Sequence, residues 1–482
     1  METANPIKTA AGLNTPTDAA AGPRPAGNPL LTGAVLPTLL RLAVPNVLAM
    51  TMAVLVGIAE TYYIGLLGVE PLAAMAVVFP FNMLTTMMSG GAMGGGVSSA
   101  VSRALGAGDL ARARESALHA VVIGTLAGIV YTAVFLVFGP ALYHFLGARG
   151  AVVELASTYS NVLFCGAVLV WLSNTLASIL RGTGNMVVPS ATILATAMLQ
   201  IVLGGSLGLG WGPIPRLGMQ GVALGQIIAT AAGVAFFFWY LHAGRGKLRL
   251  RFGRLALRRE PFVDILKVGA LACLSPLQSV LATVIFTGLV ARLGLLPLAG
   301  YGIGQRLEFL LIPIAFGIGV ASVPMVGMAI GAGDVQRARR VAWTAGGVSA
   351  FNLGLIGLIV SLAPDVWAGL FTQDAGVLDH ARQYLHWAGP AFAFFGLGLT
   401  LYFASQGSGK VLGPVLASTL RLLLVGGIGA WLMTNAAPAW QYFVLVGGAM
   451  VIYGVTTAAA IWFTPWGSSS ARPIRAPALS SR

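Results

Sequence analysis

The chain has 482 residues, 57% hydrophobic and only 9% charged, with 28 Lys and Arg against 14 Asp and Glu. A soluble surface needs about 25% charged residues, so the composition excludes a water-soluble globular protein. The net charge of +14 reads as membrane topology and not as a nucleic-acid surface. The two cysteines, Cys165 and Cys273, lie inside apolar runs and exclude both a disulfide framework and a cysteine metal site.

Residues 1–30 are rich in Ala, Pro, Thr and Gly and carry Lys8 and Arg24 without an apolar core. They are expected to be a disordered cytoplasmic tail and not a secretory signal. Twelve apolar runs follow, at 36–66, 71–100, 115–138, 152–178, 188–208, 218–242, 262–291, 297–326, 338–362, 378–402, 412–434 and 440–464. Each reaches roughly the 20 residues that cross a hydrocarbon core as a helix. The first holds Pro45, Asn46 and Glu60, and the proline should bend it. The second ends in Ser89-Gly90-Gly91-Ala92-Met93-Gly94-Gly95-Gly96, with no Lys-Ser or Lys-Thr after it. Close helix packing or a hinge fits this run better than a nucleotide loop. The six runs of 31–243 and the six of 261–466 flank a basic linker, 244–260, and residues 467–482 form a second polar tail. Trp211, Trp239, Trp367, Trp462 and Trp466 fall near the expected membrane boundaries.

Lys and Arg distribute unevenly over the connections. Even-numbered connections and tails hold 21, odd-numbered ones only Arg149, Arg216 and Arg292. The positive-inside rule therefore places both termini in the cytoplasm of a multi-pass plasma (inner) membrane protein.

The halves also repeat. Gly106-Ala107-Gly108-Asp109 recurs 225 residues later as Gly331-Ala332-Gly333-Asp334, and Arg181-Gly182-Thr183-Gly184 as Gln406-Gly407-Ser408-Gly409. Glu154 maps onto Asp379 and Tyr159 onto Tyr384 at the same offset. Six helices per repeat give both copies one orientation. The expected fold is therefore an all-α integral membrane protein. Its two six-helix lobes are related by a pseudo-two-fold axis along the membrane normal.

Most acidic residues lie in tails, connections or helix ends; Glu60 and Glu308 do not. A charge in hydrocarbon costs about 2.5–3.5 kcal/mol on insertion scales, so it faces a cavity, pairs or works. Glu60 lies about 22 Å beyond Pro45 along the first helix, in the outer half. It reads either as a coupling carboxylate or as a side chain reaching the outer interface beside Tyr62 and Tyr63. Glu308 sits near mid-membrane. Arg306, two positions away, is on another face, so Gln278 and Arg421 are its candidate partners. It reads either as a cation or substrate site or as a buried clamp. Gln305, Arg306, Gln200, Gln278, Asn46 and Asn174 are the supporting polar candidates, with Pro45 as the hinge of the first helix. The five histidines have no metal-ligand spacing.

These landmarks resemble the multidrug and toxic compound extrusion (MATE) transporters, of the same superfamily as lipid-linked oligosaccharide flippases. The resemblance runs in order through Ala59-Glu60-Thr61, Gly65-Leu66-Leu67-Gly68, Leu105-Gly106-Ala107-Gly108, Arg181-Gly182-Thr183-Gly184 and Gly218-Met219-Gln220-Gly221. It continues through Tyr301-Gly302-Ile303-Gly304-Gln305-Arg306-Leu307-Glu308 and Gly331-Ala332-Gly333. It implies two lobes around a cleft and export of bulky, often cationic amphiphiles in exchange for H+ or Na+, with no enzymatic cofactor. The family's helix-one aspartate falls at Glu60. Where many members complete a cation site in helix five with Asn and Asp, this chain reads Gln200-Ile201-Val202-Leu203-Gly204; the missing carboxylate favours H+. The expected partners are small amphiphiles and the bilayer, no nucleic acid is implied, and a monomer suffices. A flippase is the alternative and would need a more cationic cavity, toward which only Arg306 and Arg421 point. A membrane enzyme would need clustered nucleophiles or histidines, which the sequence lacks.

Overall fold

The computed structural model describes residues 28–213, 215–250 and 258–467. Residues 1–27 of the expected tail 1–30, residues 251–257 of the basic linker and the end from 468 lie outside the described residues; the last residues of that expected tail instead begin a short helix, Pro29–Thr32. In chain order the elements are α1 (Pro29–Thr32), α2 (Val35–Gly65), α3 (Val69–Thr86), α4 (Gly94–Gly106), α5 (Leu110–Phe145) and α6 (Ala151–Cys165). They continue with α7 (Ala167–Gly182), α8 (Val187–Leu209), α9 (Gly218–His242), α10 (Arg259–Ala272), α11 (Leu274–Ala291) and α12 (Leu295–Gly331). The last six are α13 (Val335–Leu362), α14 (Asp365–Ala368), α15 (Ala375–Ala388), α16 (Phe392–Ser408), α17 (Leu412–Thr434) and α18 (Ala439–Phe463). Ten continuous spans are long and apolar enough to cross a bilayer. The pairs α6–α7 and α15–α16, bent by 42° and 54°, bring the total to twelve.

Local sequence explains where spans start and break. Asp109 and Asp334 each accept a hydrogen bond from the backbone N–H three residues on, at 2.8 and 2.9 Å, and so cap α5 and α13. Gly108 and Gly333 before them both take φ of +78°, which only glycine adopts without strain. The second span is not one α-helix. A π-helical segment, Met87–Met93, separates α3 from α4, where two glycines and the Ser89 hydroxyl, donating to the Thr85 carbonyl at 2.7 Å, loosen the ladder. The break at Cys273 likewise divides the seventh span into α10 and α11.

The duplication reappears as a contact. A Cβ on Gly106 would run into the backbone of Met328, and one on Gly331 into the Arg103 carbonyl. The two contacts are each other's images at an offset of 225. Between them a Cβ on Gly327 would strike Ser102, its own counterpart. α4 and α12 thus cross backbone to backbone on the pseudo-axis, the packing that small residues permit in membranes.

The lobes also trade pieces. The inner half of α2 packs on α12, with Asn46 Nδ2 donating to the Gly317 carbonyl at 3.3 Å and Val47 against Gly317. Conversely α10 packs chiefly on α4, α5 and the π-segment. A Cβ on Gly96 would meet Gly269 at 2.8 Å. These close contacts run from the end that carries the 106–109 and 331–334 turns to mid-span at Gly317. Toward the other end, Gly57, Gly65, Gly288 and Gly302 face open space.

Candidate ion-coupling site

Glu60 stands one turn from the end of α2 and is 5% exposed. Gln200 Nε2, from the middle of α8, donates to its Oε1 at 2.7 Å. Tyr159 of α6, itself fully buried, stands within electrostatic reach of the carboxylate. One turn outward, Tyr63 meets Trp211 edge-on at 5.8 Å, and both close over Gly205. The carboxylate is therefore enclosed by α2, α6 and α8, under an aromatic cover.

Glu308 lies beside the second lobe's copy of Tyr159, brought there by a different helix. It is half-buried on α12 and accepts a hydrogen bond from the Tyr384 hydroxyl of α15. Arg421 of α17, Thr283 of α11 and Tyr301 line a small cavity with it. Tyr384 is the 225-offset image of Tyr159, so each lobe sets the same duplicated tyrosine near its carboxylate. Sequence reading used that pair only as a landmark of duplication.

Neither carboxylate has a basic nitrogen within 4.0 Å. The ion pairs among the described residues are Arg103–Asp264, Arg112–Asp264, Arg258–Glu115 and Arg382–Asp365. The first three tie α4 and α5 to the start of α10 and its approach. They went unmarked in the sequence because their partners lie far apart in the chain, 161 residues for Arg103 and Asp264.

The other candidate residues disperse. Asn174 Nδ2 donates to Ser89 Oγ at 2.8 Å, bracing α7 on the π-segment. Asn46, beside Pro45, serves the seam between lobes. Gln278 Nε2 donates to Thr419 Oγ1 at 2.7 Å, which joins α11 to α17. Arg306 is exposed and lies over the Phe371 ring at 5.2 Å, away from Glu308. Gln305 is half-buried next to it. Arg181, read as a topological charge, is instead 2% exposed.

Comparison with known proteins agrees with this architecture. The chain is 24% identical over 396 residues to the FAD transporter of Shewanella oneidensis, covering 82% of this chain and 87% of that one. It is 24% identical over 409 residues to the probable multidrug resistance protein NorM of Thermotoga maritima, covering 82% and 88%. It is 26% identical over 402 residues to the multidrug export protein MepA of Staphylococcus aureus, covering 80% and 85%. Among solved structures, a MOP superfamily transporter from Pyrococcus furiosus superposes with a TM-score of 0.81 at 23% identity, over 90% of this chain and 96% of that one. An outward-facing multidrug resistance MATE family transporter of the MOP superfamily superposes with a TM-score of 0.79 at 25% identity, over 90% and 96%. The MatE family itself matches in two blocks, residues 45–204 and 272–432, one in each half of the chain. With this match, the duplicated twelve-span fold and the relatives named as transporters, the chain belongs to the MatE family: it is a multi-pass membrane transporter, not an enzyme.

Proposed function

We propose that this transporter exports amphiphilic small molecules, cationic ones among them, in exchange for protons, with Glu60 as the coupling carboxylate. The observation that carries the proposal is the Glu60 pocket. Its carboxylate is enclosed, touches no basic side chain, and has one neutral donor, Gln200, at 2.7 Å. A paired guanidinium would hold it ionised; a neutral amide serves both protonation states. Gln200 stands where a second acid would favour a metal cation, which supports H+ over Na+. Relatives named for multidrug export and for FAD transport support a broad substrate class.

The sidedness proposed from Lys and Arg puts both termini in the cytoplasm of the inner membrane. In this reading the end where the lobes meet is the cytoplasmic one, and the cleft between them opens outward. A proton reaching Glu60 from outside neutralises it and lets the part of α2 that carries Glu60 move against the stretch at Asn46 and Val47, which is fixed to α12 beside Pro45. Proton release inside resets the cycle. The membrane potential contributes about 2.3 kcal/mol per charge per 100 mV. A monomer in the bilayer suffices for this mechanism.

The test is efflux from proteoliposomes under an imposed pH gradient or, separately, an imposed Na+ gradient. Export should follow the pH gradient alone and vanish in Glu60→Gln, with the variant still inserted. Undiminished efflux by Glu60→Gln would remove this residue from the mechanism; export driven only by Na+ would overturn the ion assigned.

A further inference from the structure

The cavity beside Glu308 brings a carboxyl group and a guanidinium to one place without an ion pair between them. Arg421 is half-buried on α17, with its guanidinium 5.6 Å from the Phe395 ring and 5.9 Å from that of Tyr453. Its Nε makes no hydrogen bond among the described residues, and no carboxylate lies within 4.0 Å of it. Glu308 lines the same cavity but is engaged by the Tyr384 hydroxyl. The cavity measures about 20 Å³; about 10–15 Å³ suffices for a single water. It therefore has room for a water-sized species beside the guanidinium.

We propose that this cavity binds a small halide-sized anion, chloride in the cell, held by Arg421 and exchanged according to the protonation of Glu308. A guanidinium does not lose its proton in a protein, so Arg421 is a fixed positive charge in a span. Aromatic faces stabilise it in part, yet an unpaired charge in such surroundings remains costly. A water would satisfy Nε but leave the charge. With Glu308 protonated the cavity carries one net positive charge and holds the anion. With Glu308 ionised the carboxylate is the counter-charge, and the anion is repelled.

The other titratable and charged groups around Glu308 do not take this part. Tyr301 and Tyr384 are phenols packed edge to face at 5.5 Å, and Tyr453 stands by Arg421. His380 of α15 packs two turns away at Gly300, and Arg306 is turned to Phe371. The α11 face contributes only Thr283 and Gln278. Linkage is reciprocal: bound chloride favours the proton on Glu308, and acidification tightens chloride. This goes beyond the exporter reading and does not involve Glu60.

The experiment uses the purified full-length protein. Its thermal unfolding midpoint is followed against sodium chloride, with sodium gluconate at equal ionic strength as control, at mildly acidic and mildly alkaline pH. Bromide-soaked crystals measured at the bromine absorption edge locate the ion. The expected result is a saturable chloride-specific rise in midpoint, with affinity about tenfold weaker on the alkaline side, and bromide beside Arg421 Nε. Arg421→Gln should abolish the rise, and Glu308→Gln should keep it but remove its pH dependence. If Arg421→Gln does not fold, the Glu308→Gln profile and the bromide position decide. Equal effects of chloride and gluconate, a pH dependence that survives Glu308→Gln, or bromide only elsewhere would overturn the inference. No arm reads transport, so a failed exporter reading leaves this outcome interpretable, and the reverse.

Discussion

Replacing Asp264 by Asn should release the seam between the lobes. Asp264 Oδ1 lies 2.8 Å from Arg103 Nη2, and Arg112 approaches Oδ2 at 3.9 Å. Arg103 also donates to Ser99, whose hydroxyl in turn donates to the carbonyl of Gln406 across the seam at 2.5 Å, with that of Gly407 at 3.2 Å. The side chains of Arg103 and Asp264 keep 16% and 31% exposure. Neither the 3–5 kcal/mol of breaking a fully buried pair nor the near-zero value of an exposed one therefore applies. A hydrogen bond to a charged group contributes about 1.5–3 kcal/mol, and about 2 kcal/mol is the value expected here. At about 1.4 kcal/mol per factor of ten, a state with the lobes parted at this end gains roughly 30-fold in population. Ser102 reports it, since it is 0% exposed beneath Gly327. In a background lacking Cys165 and Cys273, a Ser102→Cys thiol is alkylated only when the seam opens. Asp264→Asn should speed that alkylation roughly 30-fold. An unchanged rate, or Arg103→Gln and Asp264→Asn effects that simply add in a double-mutant cycle, would refute the reasoning.

Gln200→Glu should place two carboxyl groups at hydrogen-bond distance, where they share one proton or hold a cation between them; efflux in proteoliposomes should then become sensitive to Na+. Gly331→Leu should push a side chain into the Arg103 carbonyl on the axis. Overpacking of this kind costs about 1–3 kcal/mol, so the unfolding midpoint should fall and Ser102→Cys alkylation should rise. Outside the membrane, Arg382 holds the Asp365 carboxyl below its usual range through hydrogen bonds at 2.7 and 3.0 Å. A depressed carboxyl stabilises the fold above its unfolded pKa and loses that effect as pH falls through the folded one. The small midpoint difference between wild type and Asp365→Asn should therefore vanish on acidification.

Much of this architecture was legible in the residues. The apolar runs gave the twelve spans, because hydrocarbon forces each to satisfy its own backbone. The repeated Gly-Ala-Gly-Asp turns gave the duplication, and the structure reproduces it down to Gly108 and Gly333 at the same φ. The π-segment and the bends near Gly166 and Gly389 stayed hidden, since glycine in a span serves packing and breaking alike. Glu60 and Glu308 stood out because charge is rare there. Their partners did not, for Gln200 lies 140 residues from Glu60 and Tyr384 lies 76 from Glu308. Of the two candidate partners of Glu308, Arg421 shares its cavity, whereas Gln278 binds Thr419. Which residues face each other across the seam depends on how two lobes close, and that register is written in no local pattern.

The trade of α10 for the inner half of α2 has a consequence for how the molecule divides. A cut in the chain between α9 and α10 does not coincide with a cut between packed bodies. Each half-sequence leaves one of its own segments embedded in the other, like two hands with a finger exchanged. Severed halves made together should thus find each other without their tether, and either half made alone should lack a wall.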